Sequence, residues 1–253
     1  MNLSIPAGDQ TPNLERSSSD WDPGQLSVVI PVRNEARNLE YVLSKLPPGV
    51  GDLVLVVFDG DSASADIALQ HVPRCKIIRD NGQGKGHALR LGIKASKMPF
   101  VLQLDADGSM DPVEIPRIVH KLMDGADIAK GSRNLPGGGS TDLTSFRIFG
   151  NRMFASLVNV LFGTRYTDLC YGFMGARREV YDRISLESTG FNIEAEVLIK
   201  AHAQGLRVEE VPSFEQARIH GKSQLHWLKD GFQILGTILG LFYRNRLKKS
   251  TAP

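Results

Sequence analysis

The sequence is poor in the features that would place it quickly. It has only two cysteines, Cys75 and Cys170, far apart and in no metal-type spacing. That excludes a disulfide scaffold and suits free thiols in a reducing, cytoplasmic setting. Neither sign of charge dominates: the formal net charge is +2, so nothing in the whole chain calls for nucleic acid, and any basic surface must be local. No apolar run reaches the ~20 residues that a membrane-spanning helix needs. The first residues lack the basic-then-apolar order of a secretory signal.

What is present is the composition of an ordinary globular protein. Hydrophobic residues make up 42% and charged residues 23% of 253 positions, enough for one large α/β domain or two small ones. Residues 1–24 carry scattered apolar positions and a serine run and read as a disordered leader. Short β-branched runs then recur at 26–31, 53–58, 75–78, 100–104 and 126–131, with helical patterns at 34–46, 63–71, 86–96 and 112–123 between them. Such alternation predicts a mostly parallel sheet covered on both faces. The second half predicts a helix over 147–162, a short strand at "FMGA", a helix over 192–205, a strand at "LRVEEVP" and a last helix from about 227 to 248.

Ligands of parallel α/β sheets bind outside the carboxyl ends of the strands, so the residues at those ends are the ones to weigh. The fourth run ends in "LDADGSMDP", with Asp105 and Asp107 one residue apart. The chain holds seventeen Asp, so about one Asp-x-Asp is expected by composition alone, and a second occurs at Asp59 and Asp61. Position decides more than the pair does. Hard dications such as Mg²⁺ or Mn²⁺ take carboxylates plus substrate phosphates. "PVRNE" follows the first run; there Asn34 can cap the next helix with Glu35 in its first turn, or Pro31, Asn34 and Glu35 can surround a base. The glycines of "NGQGKGH" with Lys85 suit a diphosphate cradle before a helix, or a connection that needs left-handed backbone. Arg133 of "GSR" can grip a phosphate in two-pronged fashion. The polar loop after it, "NLPGGGSTDLTSFR", reads as a mobile lid. Glu194 and Glu196 face different ways on a helix. "ARIHGKSQLHW" concentrates Arg218, His220, Lys222 and His226.

Taken in order, "SVVIPVRNEARNL", "VVFDGDS", "GKGHALRLGIKAS", "FVLQLDADGSMDP", "GSR", "TDLCYGFMGARREV", "GFNIEAEVLIKAHAQGLRVEEVP" and "RIHGKSQL" resemble family 2 glycosyltransferases with the GT-A type nucleotide-diphospho-sugar fold. The branch they resemble most is that of polyprenyl-phosphate (dolichol-phosphate) mannosyl- and glucosyltransferases. The resemblance implies a metal site at Asp105 and Asp107 holding Mg²⁺ or Mn²⁺, with His220 as a further candidate ligand. It implies base and ribose contacts from Pro31, Glu35 and Asp59, and phosphate contacts from Lys85, Arg133, Arg218 and Lys222. It places an acceptor-site carboxylate in "NIEAE", where Glu194 is the choice. Asn192 stands where a Glu is common, and Ser64 where an Asp is usual. The donor implied is a UDP- or GDP-hexose. The acceptor is polyprenyl phosphate or a small hydroxyl-bearing molecule. A non-catalytic module that only binds sugar nucleotides is the remaining alternative, and a nucleotidyltransferase would want an early glycine-rich loop where this chain has "PVRNEAR".

Acceptor chemistry divides these cases. A hydroxyl needs a general base within hydrogen-bond reach, whereas a lipid phosphate is already anionic and needs only Arg and Lys to place it. In the last helix, "GFQILGTILGLFY" is uninterrupted by charge for thirteen residues, and Arg244, Arg246, Lys248 and Lys249 follow. That pattern suits a helix lying on an anionic membrane, for peripheral contact at its inner face, or a core or homodimer helix with a solvated basic tail. The expected organisation is therefore a leader (1–24), a glycosyltransferase domain (25–226) and a C-terminal amphipathic helix with a basic tail (227–253).

Overall fold

The computed structural model describes residues 21–250 except Lys222. Residues 1–20 of the expected leader lie outside the described residues. Trp21 is buried, and Asp22 accepts the Gly24 N–H to start a 3₁₀ turn at Pro23–Gln25, so residues 21–24 of the expected leader belong to the fold.

Seven strands form one sheet, in the order β3-β2-β1-β4-β7-β5-β8. They are β1 (Leu26–Val32), β2 (Asp52–Phe58), β3 (Lys76–Asp80), β4 (Phe100–Gln103), β5 (Ile128–Ser132), β7 (Met174–Arg177) and β8 (Val208–Pro212). All pairings are parallel except those of β7, which runs antiparallel between β4 and β5. Two short strands, β6 (Gly139–Ser140) and β9 (Phe214–Glu215), pair separately.

Side chains alternate across a strand, and here the alternation sorts the core into two layers. Val28, Ile30, Leu55 and Leu102 point to one face. There they meet α1 (Ala36–Ser44), α2 (Ser62–His71) and α4 (Ile115–Met123), through residues such as Leu39, Ala68 and Ile118. Val29, Val54, Val56 and Val101 point to the other. That layer holds α3 (Lys85–Ala95), α5 (Ser145–Phe162), α6 (Arg178–Arg183), α7 (Ile193–Ala203) and α8 (Trp227–Ser250). Burial on both faces explains why the strands read as apolar runs rather than as alternating ones.

Two local expectations are corrected. Asn34 does not cap α1: it sits at φ 58°, left-handed, and Glu35 occupies the cap position without a capping side-chain bond. Nor is the loop after Arg133 a free lid. Its middle is β6, Ser140 Oγ donates to Glu215 Oε2 at 2.6 Å, and Thr144 caps α5 by accepting the Arg147 N–H.

The strand order reverses about β1: β2 and β3 lie to one side, while the chain crosses back to place β4 on the other. Sheets of this kind carry their ligand crevice at such a point. Neighbouring parallel strands are only ~4.8 Å apart, so the loops after β1 and β4 are forced together.

Candidate functional site

Those two loops carry Glu35 and the Asp105–Asp107 pair, and the structure brings them into one cluster. The Glu35 carboxyl is held above its ordinary range, chiefly by burial and then by the nearby charges of Asp107 and Asp105, against a hydrogen bond from Asn38 and the pull of Arg218. Asn38 also donates to the His220 carbonyl at 3.1 Å, which pins the 216–220 segment over the crevice. The Gln216 N–H reaches the Ser109 carbonyl at 2.8 Å. Gly108, at φ 77°, makes room, since a Cβ there would lie 2.7 Å from the Ile219 side chain.

Each carboxylate of the pair has its own cation. Lys85 Nζ lies 2.8 Å from Asp105 Oδ1, 2.9 Å from Oδ2 and 3.1 Å from Glu194 Oε1. Arg218 Nη2 lies 2.9 Å from Asp107 Oδ2, and the Ser109 N–H donates to Asp107 Oδ1 at 2.9 Å. Glu194 is 2% exposed. Burial pushes its carboxyl up against the pull of Lys85, and its Oε2 has no hydrogen-bond partner. Glu196 turns elsewhere, to Lys200 at 2.7 Å and to the N–H groups of Glu187 and Ser188. Residues 193–199 of α7 are all buried, and each of its two glutamates is paired with a lysine there, as buried carboxylates require.

The other expected residues divide. Pro31 sits half-buried in β1 beside Val56 of β2. Asp59 ends the neighbouring strand, exposed, with no side-chain hydrogen bond or ion pair among the described residues. Asp61 instead ties the two loops together, accepting the Asn34 N–H at 2.6 Å and the Ser64 N–H at 3.1 Å. The glycine run is used partly for packing: a Cβ on Gly84 would lie 2.4 Å from the Thr189 carbonyl oxygen, and one on Gly86 2.7 Å from that of Ser188. His220 is exposed. Among the described residues no three or more His, Cys, Asp or Glu side chains are grouped to hold a metal, so its ring does not complete a cluster with Asp105 and Asp107. Lys222 lies outside the described residues. Two carboxylates and no third protein ligand is a donor set that suits a hard dication whose remaining ligands are phosphates.

Arg133 is not free. Its guanidinium holds Asp168 at 2.7 and 3.0 Å and Glu215 at 3.1 Å, with the Tyr171 ring 4.6 Å away. Burial alone would raise the Asp168 carboxyl; the charges of Lys130 and Arg133 outweigh it and bring it down to about 2. Sequence reasoning missed this buried hub, and likewise Asp80, which accepts the Gly82 N–H and meets His87 Nδ1 at 2.6 Å. The signal available for Asp168 was a charged residue in the otherwise apolar stretch "TDLCYGFMGA".

Beside Arg133 opens a cleft of about 260 Å³ between α5 and α8. Phe146, Met153, Phe154, Trp227, Phe232 and Leu235 line it, and Arg133 and Arg147 add charge. Cys170 also lines it. Its thiol is pushed up to about 12 by burial and by the charges of Asp168 and Glu194.

Comparison with known proteins agrees with this arrangement. Residues 27–185 match the model of glycosyl transferase family 2. A dolichol-phosphate mannosyltransferase of Pyrococcus furiosus is 30% identical over 79% of this chain and 59% of its own length; the chain thus spans less than two thirds of that relative. A polyprenol monophosphomannose synthase of Mycolicibacterium smegmatis is 29% identical over 78% of this chain and 80% of its own. Among solved structures, glucosyl-3-phosphoglycerate synthase from Mycobacterium tuberculosis, in complex with Mn²⁺, UDP and glucosyl-3-phosphoglycerate, superposes with a TM-score of 0.68. It is 20% identical, with 86% of this chain and 79% of that one covered, a likeness of fold. The sheet order, the acidic end of β4 and a family match across most of the described chain make one conclusion: this is a glycosyltransferase of the GT-A type, and the chain belongs to glycosyl transferase family 2.

Proposed function

We propose that the chain moves a hexose from a UDP- or GDP-linked donor to polyprenyl phosphate, with inversion at the sugar carbon. The observation that carries the acceptor is the α5–α8 cleft, an apolar trough with Arg133 and Arg147 in its wall. An isoprenoid chain matches its apolar lining; of the arginines in its wall, Arg133 is already paired with Asp168 and Glu215 and Arg147 with Asp142. Relatives named for transfer to dolichol or polyprenol phosphate support the same choice.

In this reading Glu35 and Pro31 contact the base, and Asp59, exposed and without a side-chain partner among the described residues, accepts ribose hydroxyls. Asp105 and Asp107 would hold Mg²⁺ or Mn²⁺, the ions present with UDP in structural neighbours; that ion supplies charge for the departing diphosphate. Arg218 is placed to share in neutralising it, the electrostatic contribution that usually dominates such reactions. Lys222 is assigned the same work from sequence alone. Glu194 is poorly placed as a base, since one oxygen holds Lys85 and the other is enclosed. An acceptor that arrives already ionised needs none, which favours the phosphate over a soluble hydroxyl.

The outer faces of α5 and α8 fit this reading. Phe149 is 67% and Phe232 70% exposed, alongside Phe146, Met153, Trp227 and Tyr243. Arg152, Lys229, Arg244 and Arg246 are exposed on the same two helices. Apolar bulk with interspersed cations is what a peripheral helix presents to an anionic bilayer; a second copy of the chain is the competing occupant. No helix among the described residues is long and apolar enough to cross a membrane. The test is incubation with UDP- and GDP-hexoses and either polyprenyl phosphate or water-soluble alcohols. Sugar recovered in the lipid fraction is the expected result, and glycosylation of the soluble alcohols alone would reject the lipid acceptor. Nucleotide binding without turnover in any combination would favour the non-catalytic alternative.

A further inference from the structure

We propose that Lys85 and Arg218 are internal counter-ions that keep the Asp105–Asp107 pair closed to a divalent ion until a diphosphate draws them away. The inference rests on the transferase reading above and concerns the order in which its site fills.

All four oxygens of the pair are engaged. Both of Asp105 face Lys85 Nζ, at 2.8 and 2.9 Å, and those of Asp107 face Arg218 Nη2 and the Ser109 N–H, each at 2.9 Å. A dication approaching alone meets two positive charges already bound to the carboxylates it would take. Both cations, however, have somewhere to go. Arg218 Nε is buried without a hydrogen-bond partner, a donor that a phosphate oxygen would satisfy. Lys85 is shared with Glu194, whose Oε2 is an enclosed acceptor that nothing fills. An ammonium has three donors, so Lys85 can leave Asp105 by turning on Glu194 without becoming an unpaired buried charge. Gly172 keeps that space open: a Cβ there would lie 2.9 Å from Lys85 Nζ and 3.1 Å from Glu194 Oε1. Glu194 is thus a positioning residue that parks the displaced lysine. A diphosphate supplies the anionic oxygens that exchange partners with Asp105 and Asp107, and metal and nucleotide enter as one unit.

The test is Mn²⁺ uptake by the full chain, read from the electron paramagnetic resonance of free Mn²⁺, alone and with UDP or GDP, corrected by protein-free titrations. The wild-type chain is expected to bind Mn²⁺ at least tenfold more tightly with nucleotide than without. Lys85→Met and Arg218→Met are expected to take up Mn²⁺ alone at least tenfold more tightly than wild type. Arg218→Met carries the comparison if Lys85→Met does not fold. Wild-type uptake of Mn²⁺ alone as tight as in these variants would overturn the inference and leave the transferase reading standing. No Mn²⁺ binding in any protein, with or without nucleotide, would overturn that reading and the inference with it.

Discussion

Replacing Asp168 by Asn should damage this protein more than any change at the acidic pair. Asp168 is fully buried and holds the Arg133 guanidinium at two points, with the Asn151 amide on its carboxylate and Lys130, itself fully buried, donating to its backbone carbonyl and adding its charge nearby. The amide keeps the shape and removes the charge, so two cations remain inside with Glu215 alone to face Arg133. Removing one partner of a buried ion pair costs roughly 3–5 kcal/mol. For a chain of this size each kcal/mol lowers the midpoint of thermal unfolding by roughly 2–4 °C, so the midpoint should fall by roughly 6–20 °C at neutral pH. The same residue gives a pH signature. Its carboxyl lies near 2 when folded against an ordinary 3.8. A lowered folded value means stability that is present above 3.8 and lost as pH falls from there toward 2. The gap corresponds to roughly 2–3 kcal/mol. Urea unfolding followed by circular dichroism at pH 7, and again between pH 4 and 2, measures both. A variant within ~0.5 kcal/mol of wild type, or one that keeps the full wild-type loss of stability between pH 4 and 2, would refute the argument.

Other outcomes follow from single contacts. Gly84→Ala puts a Cβ 2.4 Å from the Thr189 carbonyl oxygen at φ 117°; it should cost at least ~1–2 kcal/mol in the same urea assay, and a neutral result would contradict the packing assigned to that loop. Phe149→Glu and Phe232→Glu alter side chains that are two-thirds exposed or more, so each should change stability by less than ~0.5 kcal/mol while reducing co-sedimentation with anionic vesicles. Undiminished sedimentation would remove the case for a membrane face. The Cys170 thiol, pushed up to about 12, should resist iodoacetamide at pH 8 in the folded protein and react in urea; rapid native labelling would show that its surroundings are wetter than described.

Most of the scaffold was legible because both layers of the core bury their strand faces, so β1, β2 and β4 read as apolar runs ended by polar residues. The crevice was legible for the same reason: Glu35 and Asp105 follow adjacent parallel strands, and their spacing in sequence says little while sheet order says nearly everything. What escaped depends on pairings between distant segments. Nothing local marks Asp168 as the partner of Lys130 and Arg133, or Lys85 as the bridge between Asp105 and Glu194. The glycines of 82–86 suggested an anion cradle by type, yet Gly84 and Gly86 are small because the 188–190 backbone runs against them. The loop after Arg133 looked mobile by composition and is held by β9, a two-residue strand too short to leave a pattern.

The central claim is that the carboxyl end of β4 holds a divalent ion bearing a nucleoside diphosphate against the loop after β1. Anomalous scattering from crystals grown with Mn²⁺ and UDP or GDP tests it most directly. The account predicts a single strong peak between Asp105 and Asp107, with the diphosphate on it and the base beside Glu35. A peak elsewhere, or nucleotide bound away from both loops, would contradict it.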